Sequence, residues 1–422
     1  MSEPNQRPAP AATAAGHDPY AVLRDRNVRL YLLARLVASF GQQMLTVAVG
    51  WELYDRTHST LALGFVGLSY LVPMLVLTVP AGHCADTYNR KRLVVWMTGL
   101  LALASLGLML ASWFRAPTGW TYACLVLAGA ARSFLWPASA SFLPQLVPRE
   151  LFPRAVAWST GSFHLSSVAG PAAGGALIAL THHAATVYAL NALAGLLCVF
   201  LIGAVAYRQP EAAQREPMTF ASLGAGFEFV WRNRIILGTI TLDMFAVLLG
   251  GATALLPVYA KDILQVGPAG LGWLQAALPV GSLTCSLLIA HLPPMQRAGR
   301  TLLWAVIGFG LATVGFGWSR WFALSWLMLF VCGATDNVSM VVRHTLVQLL
   351  TPDEKRGRVS AVNSLFIGTS NELGGFESGL VAYWFGPVVS VVSGGIGTIL
   401  VVLAVAWIWP EIRRYGRLEG PS

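Results

Sequence analysis

The feature that most constrains this chain is a succession of twelve long apolar runs separated by short polar segments. Each run is about 20 residues long, which an α-helix needs to cross the hydrocarbon core of a bilayer. They cover residues 30–50, 61–82, 93–113, 121–143, 155–180, 184–206, 236–260, 270–292, 301–319, 321–345, 359–384 and 387–409. With 55% hydrophobic and only 11% charged residues, the composition excludes a soluble domain. The sequence predicts an all-α membrane protein with twelve transmembrane helices.

The basic residues predict how these helices are oriented. Of the 28 Lys and Arg residues, most lie in the tails or in the loops that follow even-numbered runs. The exceptions are Arg56, Arg115, Lys261 and Arg320 in the other loops, and Arg35, Arg132 and Arg343 within the runs. Lys and Arg concentrate on the cytoplasmic side of a membrane. We therefore expect an inner (cytoplasmic) membrane protein in the lipid bilayer with both termini cytoplasmic, and the net charge of +9 indicates topology rather than nucleic-acid binding.

The longest polar interruption, residues 207–235, divides the runs six and six. An internal repeat supports this division: Pro148, Glu150, Arg154 and Ala157 recur at one constant offset as Pro352, Glu354, Arg358 and Ala361. We expect two pseudo-symmetric six-helix bundles that are related in parallel. The predicted units are a cytoplasmic tail with an interfacial helix (1–29), an amino-terminal bundle (30–206), a cytoplasmic linker (207–235), a carboxyl-terminal bundle (236–409) and a cytoplasmic tail (410–422).

A short charged hinge between the second and third runs reads Gly-His-Cys-Ala-Asp-Thr-Tyr-Asn-Arg-Lys-Arg over residues 82–92. It resembles the Gly-x-x-x-Asp-Arg/Lys-x-Gly-x-Arg/Lys-Arg/Lys loop of the major facilitator superfamily of secondary transporters, with Thr87 and Asn89 departing from that pattern. The resemblance implies a conformational hinge formed by Gly82, Asp86, Arg90 and Arg92.

Each hinge residue has an expected physical role. Gly82 lets two helix ends approach, and Asp86 accepts backbone N–H groups or pairs with a cation. Asn89 is expected to take the left-handed backbone conformation usually given to glycine. Arg90, Lys91 and Arg92 are expected to hold the hinge at an anionic lipid surface.

Charged residues inside the apolar runs are the main candidates for a substrate site, because an ionisable group in a bilayer is costly unless it is paired or faces water. In the superfamily, helices 1, 4, 7 and 10 line the central cavity. Here they carry Arg35, Arg132, Asp243 and Asp336 respectively. Asp243 and Asp336 are the leading candidates for proton coupling. The alternatives are structural ion pairs for the acids, and a structural role or snorkelling to headgroups for the arginines.

Three further charges are secondary candidates. Glu372 and Glu377 lie five residues apart in the eleventh run and point to different faces, and the eleventh helix of the superfamily usually rocks rather than lining the cavity. We therefore interpret both as structural. Arg343 shares a helix face with Asp336 two turns nearer the cytoplasm, where a gate or an anchor is expected.

Small residues in the fifth run resemble the Gly-x8-Gly-x3-Gly-Pro-x2-Gly-Gly element of proton-driven antiporters in this superfamily. The matching residues are Ala157, Ser166, Gly170, Pro171, Gly174 and Gly175, with Ala and Ser replacing two glycines. The resemblance implies export. The alternative is a kinked helix that packs closely through small residues, and such packing carries no direction.

Four strings resemble the enterobactin-exporter, or transmembrane secretion effector, group of the superfamily. They are Leu249–Tyr259, Val266–Gly272, Arg356–Asn363 and Ser370–Gly379. The likeness runs from about Pro19 to Pro410. Members of this group differ in their cargo, so the resemblance does not identify a substrate.

Other function classes lack their motifs. The chain has no Gly-Lys-Ser/Thr phosphate loop, no Gly-x-Ser-x-Gly elbow and no His-Glu-x-x-His pair. We expect no enzyme activity, no metal, no cofactor and no ATP, with a proton gradient as the energy source. The sequence predicts a secondary active transporter, functional as a monomer, that exports amphipathic small molecules (a drug or a siderophore-like metabolite) by proton antiport and alternating access. The alternatives are a proton-coupled importer of the same fold and a non-transporting membrane receptor or assembly partner.

Overall fold

The structure is a computed structural model that describes residues 20–207, 220–293 and 295–416. The expected amino-terminal tail up to residue 19, the linker stretch 208–219 and the tail from residue 417 lie outside the described residues. Within these ranges the chain forms helices and no strands. Twelve long helices carry the fold. They are α1 (Arg26–Thr57), α2 (Thr60–Thr87), α3 (Arg90–Trp113), α4 (Thr118–Leu146), α5 (Phe152–Thr181), α6 (Ala185–Gly203), α7 (Arg234–Ile263), α8 (Gly267–His291), α9 (Ala298–Trp318), α10 (Phe322–Leu350), α11 (Asp353–Phe385) and α12 (Pro387–Ile408).

These helices confirm the prediction of an all-α membrane protein with twelve spans. Eleven of them, among the described residues, are long and apolar enough to cross a membrane by composition. The other, α11, has the same length but contains Glu372, Glu377 and several charged residues in its first turns. Large apolar side chains such as Leu180 (80% exposed) and Trp407 (83% exposed) lie on the outer surface, where lipid covers them in a bilayer.

Polar side chains define where several helices begin. Asp25 accepts hydrogen bonds from the backbone N–H groups of Asn27 (2.7 Å) and Val28 (3.1 Å), so α1 begins at Arg26. Such caps satisfy donors that have no partner within the helix. The expected interfacial helix before α1 is only a single 3-10 turn, Ala21–Arg24. The physical reason is that the Asp25 cap separates this turn from the long helix.

The two halves repeat the same internal packing. In the first half the extensive helix contacts are α1 with α5 and α6, α3 with α4 and α6, and α2 with α4. In the second half the corresponding pairs are α7 with α11 and α12, α9 with α10 and α12, and α8 with α10. Each pair in the second half is the first-half pair moved on by six helices. The parallel internal repeat is therefore visible in the architecture as well as in the sequence.

We call the end of the bundle that carries Arg26, Gly203, Arg234 and Ile408 the terminal end, and the opposite end the distal end. Two seams join the halves: α5 packs on α8, and α2 packs on α11. Glycines make the closest approaches in both seams. A Cβ added at Gly379 would lie 2.8 Å from the Cα of Gly64, and one added at Gly272 would lie 3.1 Å from the Cα of Ala172. The backbones of the two halves are therefore in direct contact at these points.

The seventh span is interrupted, although its sequence predicts one continuous run. An α-helical segment ends at Leu249, a 3-10 turn covers Ala252–Leu255, and a π-helical turn covers Tyr259–Ile263. Pro257, which cannot donate a backbone hydrogen bond, lies between the two irregular turns. The π-turn leaves Lys261 and Asp262 directed at the first half, as described below.

The linker contains a helix that the sequence interpretation did not include. It covers Phe220–Arg232 and packs on α11, where the ring of Phe227 stacks on Phe366 at 6.0 Å and Gly226 lies against the backbone of Arg358. A short helix, Pro410–Arg414, follows α12. The linker helix therefore belongs to the second half of the molecule.

Candidate functional site

A cavity of about 560 Å³ lies between the two halves at mid-depth. Its wall receives residues from α1, α2, α4 and α5 of the first half and from α7, α8, α10 and α11 of the second. The four helices that the superfamily resemblance implies as cavity walls all contribute. The four helices of the two seams contribute as well, because the seams form the sides of the cavity.

The distal end of the cavity is closed by contacts between the halves. The Tyr54 hydroxyl donates a hydrogen bond to Asp262, and the Lys261 ammonium pairs with Asp55 at 2.5 Å. The Thr60 hydroxyl donates to the carbonyl oxygen of Gly379 at 3.1 Å. These three contacts lie between the cavity and the distal surface, so we call them the distal latch. Sequence interpretation missed the latch, because Lys261 and Asp55 carry no signal beyond being charged loop residues.

Thr46 and Asn371 lie on the cavity wall and are exposed. The distal latch closes one end of the cavity, and the seams close its sides. The structure thus shows a conformation in which the two halves meet at the distal end.

Arg132 is the basic charge of the cavity wall. It lies near the middle of α4, with its guanidinium carbon 5.0 Å from the centre of the Tyr70 ring, a distance at which a cation is attracted to the ring face. Glu372 of α11 also lies on the wall and interacts electrostatically with Arg132 and with Tyr70. Arg132 and Glu372 therefore face the same cavity with opposite formal charges.

The position of Glu372 differs from the sequence-based expectation of a structural residue. Gly67 of α2 packs against the Glu372 backbone, which brings this part of α11 to the cavity edge of the seam. Glu377 is not among the wall residues, and its nearest described partner is the Ser378 hydroxyl at 3.4 Å. The five-residue spacing does separate the two acids, but the rotation of α11 that selects Glu372 could not be derived from the sequence.

Asp336 is the second acid on the wall. It lies at the midpoint of α10 and projects into the cavity. Within the described ranges its carboxylate has no ion pair and no hydrogen-bond partner. Asp336 thus occupies the cavity position that the sequence predicts for it.

Asp243 does not lie on the cavity wall. It forms an ion pair with Arg343 of α10, and the two side chains are only 11% and 12% exposed. For Asp243 the structure therefore contains the alternative to proton coupling, an ion pair within its own bundle. Through the same ion pair Arg343 anchors α10 to α7. The pair lies about 10 Å nearer the terminal end than Asp336, given the helix rise over seven residues.

Arg35 is also away from the cavity wall. Its guanidinium lies beside the Tyr31 hydroxyl, and its Nε atom is buried without a hydrogen-bond partner among the described residues. Of the four charges that were expected to line the cavity, the structure therefore places Arg132 and Asp336 there. Arg35 and Asp243 lie within the packed interior of their own halves, because each is nearer the terminal end of its helix than the cavity is.

The hinge differs in part from its expected geometry. Asn89 does not adopt a left-handed conformation: with φ −62° and ψ 113° it caps α3, and its side chain accepts from the Arg92 N–H at 3.1 Å. Arg90 is buried and donates to the carbonyl oxygen of Ala85, while Lys91 donates to the carbonyl oxygens of Gly203 and Val205. Arg90 and Lys91 therefore tie helix ends together instead of facing lipid headgroups.

The other hinge residues occupy the end of α2 and the start of α3. Gly82 is buried inside α2, and Arg92 is exposed. Asp86 is half-buried and has no hydrogen bond within the described ranges in this conformation. The described residues thus do not provide the expected partner of Asp86 in this conformation.

The small-residue element of α5 serves two contacts at once. Gly170 and Gly174 pack against α1, where added Cβ atoms would meet Gln43 and Met44. Pro171 and Gly175 face the other way, against Gly272 and Pro268 of α8. The element therefore holds α5 between its own half and the opposite half, and it forms the α5–α8 seam. No group of three or more His, Cys, Asp or Glu side chains among the described residues is arranged to hold a metal ion.

Comparison with known proteins agrees with this architecture. Solved structures with the same fold include a bacterial homologue of the human lysosomal transporter Spinster in an inward-facing and occupied conformation, with a TM-score of 0.70, 13% identity and coverage of 95% of this chain and 98% of that one. A peptide transporter, POT, superposes with a TM-score of 0.73 at 12% identity over 92% of this chain and 95% of that one.

Curated relatives are closer in sequence. The chain is 28% identical over 395 residues to the enterobactin exporter EntS of Shigella boydii serotype 4 and to that of Escherichia coli O81, covering 92% of this chain and 92% of each relative. The family model of the Major Facilitator Superfamily matches residues 31–366 and 251–420. These matches confirm the resemblance identified from the hinge and from the strings in the second half. The chain belongs to the Major Facilitator Superfamily of membrane transporters.

Proposed function

We propose that this transporter exports amphipathic small molecules by proton antiport, through alternating access of the cavity between its halves. The observation that carries the proposal is the cavity itself, which the distal latch closes at one end and which carries the unpaired acid Asp336. With the latch closed, the proposed access to the cavity is from the terminal end. The similarity to enterobactin exporters and the small-residue element of α5 support the export direction.

The proposed orientation follows from the basic residues. Because most Lys and Arg residues lie at the terminal end, this end faces the cytoplasm of an inner membrane in our proposal. The described conformation would then load cargo from the cytoplasm. Both walls of the cavity come from one chain, so we propose that the monomer is functional.

Transport requires the distal latch to open while the terminal end closes. In the proposed cycle the bonds from Tyr54 to Asp262 and from Lys261 to Asp55 break, and the backbones of the two seams separate at the distal end. At the terminal end, Asp86 would gain a partner as the halves approach. The hinge thus stabilises the conformation opposite to the one described.

A proton gradient is the proposed energy source, because the sequence contains no phosphate-binding loop. Asp336 is the proposed proton carrier. It can exchange a proton with whichever side the cavity faces, whereas Asp243 is held by Arg343. Glu372, next to Arg132, is the second acid in reach of cargo. Protons and cargo would compete for the same carboxylate.

The proposal is tested with proteoliposomes that contain purified protein and a pH-sensitive dye. An imposed pH gradient should drive cargo flux, cargo should drive proton flux, and Asp336→Asn should abolish both while cargo binding stays measurable. If Asp336→Asn still moves protons with cargo at the wild-type rate, Asp336 is not the carrier. An importer would instead raise cellular accumulation of a fluorescent amphiphile, so deletion of the gene would lower it. A receptor that does not transport would show no flux at all.

A further inference from the structure

We propose that the cavity selects cargo with a single positive charge on an apolar body, and that Asp336 is the residue that determines this preference. The inference rests on the proposed function, because it assumes that cargo binds in the cavity between the halves. It is carried by the charge balance of the wall, which the arrangement of three side chains sets.

Arg132 is the only basic side chain that we find on the described wall. Its guanidinium lies over the Tyr70 ring at 5.0 Å, and Glu372 faces the same cavity with the opposite formal charge. Arg132 and Glu372 together therefore add no net formal charge to the wall.

The formal charge of Asp336 is not balanced by another charged side chain on the described wall. The nearest basic residue on its own helix is Arg343, two turns away, and that residue is paired with Asp243. The helix packed beside Asp336 contributes Ser282, whose hydroxyl donates to the carbonyl oxygen of Gly333 and is not aimed at the carboxylate. The cavity therefore carries a net charge of one negative unit at the Asp336 carboxylate.

The rest of the wall is largely apolar. Its apolar surface comes from several sides and includes Leu63, Val66, Leu256, Leu278 and Pro279. A cation that enters with an apolar body would pair with Asp336 where water is partly excluded, and charge pairs gain strength there. A neutral amphiphile would leave the Asp336 charge unpaired, and an anion would face repulsion.

The test uses two probes of nearly the same size and shape, tetraphenylphosphonium (one positive charge) and tetraphenylborate (one negative charge). Equilibrium binding to purified full-length protein in detergent micelles is measured by dialysis, with empty micelles subtracted. We expect the wild type to bind the phosphonium at least about tenfold more tightly than the borate. Asp336→Asn should weaken phosphonium binding at least about tenfold, and Asp336→Glu should retain it.

Two further variants make the test specific. The matched control is Glu377→Gln, which also removes one carboxylate from the second half but at a position on α11 that is off the cavity wall. This variant should bind both probes as the wild type does. The double variant Asp336→Asn/Glu372→Gln leaves only Arg132, so it should prefer the borate. If Asp336→Asn does not fold, the preference of the wild type between the two probes still tests the proposal.

The proposal is overturned if the wild type binds both probes equally or prefers the borate, or if folded Asp336→Asn binds the phosphonium as the wild type does. These measurements use no gradient, so they are independent of proton antiport. If a pH gradient drives no flux but the protein still selects the phosphonium, the proposed transport mechanism is wrong and the charge preference is retained. If protons drive flux of an anionic cargo and the protein does not select the phosphonium, the charge preference is wrong and the transport mechanism is retained.

Discussion

Asp243 and Asp336 lie in the same half of the molecule, on helices that pack against each other, yet their surroundings are opposite. Asp243 is buried and bound to Arg343, while Asp336 faces the cavity with no partner among the described residues. Both are single acids in apolar runs, so composition alone gives them equal weight. The difference teaches that depth along the helix decides the role: the acid at mid-depth meets the cavity, and the acid nearer the terminal end meets packed side chains.

The strongest way to break this comparison is to remove the partner of the buried acid. Arg343→Met should lower the free energy of unfolding by about 3–5 kcal/mol, because it leaves the Asp243 charge buried and uncompensated. Thermal unfolding in detergent measures the effect. The double variant Asp243→Leu/Arg343→Met should recover most of the loss, since apolar residues of similar volume often replace a buried pair without cost. A single variant as stable as the wild type would contradict a structural role for the pair.

Asp86 offers an intermediate case, an acid without a described hydrogen bond in this conformation and with an expected partner in the other one. Asp86→Asn should remove the charge-assisted part of that contact, typically about 1.5–3 kcal/mol in the conformation closed at the terminal end. Transport should fall, while the unfolding temperature should change little because Asp86 has no hydrogen bond to lose in the described conformation. Flux at the wild-type rate would show that Asp86 gains no such partner.

Lys261 and Asp55 form an ion pair that is partly exposed, unlike the buried pair between Arg343 and Asp243. Comparing the two pairs separates the effect of burial from the effect of charge pairing. The Asp55 side chain is 53% exposed, so solvent screens the attraction. Lys261→Met should lower stability by only about 0.2–1 kcal/mol, and the effect should shrink as salt is added. Unfolding at low and high salt measures it, with Arg343→Met as the salt-insensitive reference. A loss as large as that of the buried pair would mean that the latch is far less hydrated than its exposure indicates.

Asp336→Asn should have the smallest effect on stability, within about 0.5 kcal/mol, because no ion pair or hydrogen bond of the described protein is lost. The same substitution is expected to abolish proton-driven transport. Measuring both properties on one preparation separates a functional acid from a structural one. A drop in stability comparable to that of Arg343→Met would show that Asp336 is held by the protein in the same way as Asp243.

Much of the fold could be predicted because the physical signals are local. An apolar run of sufficient length must cross the membrane, and the repeat from Pro148 to Pro352 relates the two halves. The hinge and the strings of the second half resemble those of the superfamily, and the matches confirmed that family. The same resemblance, which implies that helices 4 and 10 line a central cavity, was enough to predict Arg132 and Asp336 as wall residues.

The remaining features depend on rotations and pairings between distant segments. The ion pair between Asp243 and Arg343 joins helices that are separated by two others in the chain, and nothing local specifies it. The rotation that turns Glu372 to the cavity is set by the contact of Gly67 with the α11 backbone. The π-turn at Tyr259–Ile263 is a distortion within an apolar run, and hydrophobicity does not register it.

The glycine seams have a mechanical consequence. Where Gly64 meets Gly379 and Gly175 meets Gly272, the contact is backbone on backbone, with no side chain from either glycine between. Surfaces of this kind have no rotamers to rearrange when they part, and they lose only many small dispersion contacts. Such surfaces can separate and return to the same register without any change of side-chain conformation. A methyl group added at Gly175, Gly272 or Gly379 would lie 2.3, 2.4 or 2.7 Å from a backbone oxygen of the opposite half, so it would force the two halves apart at the seam.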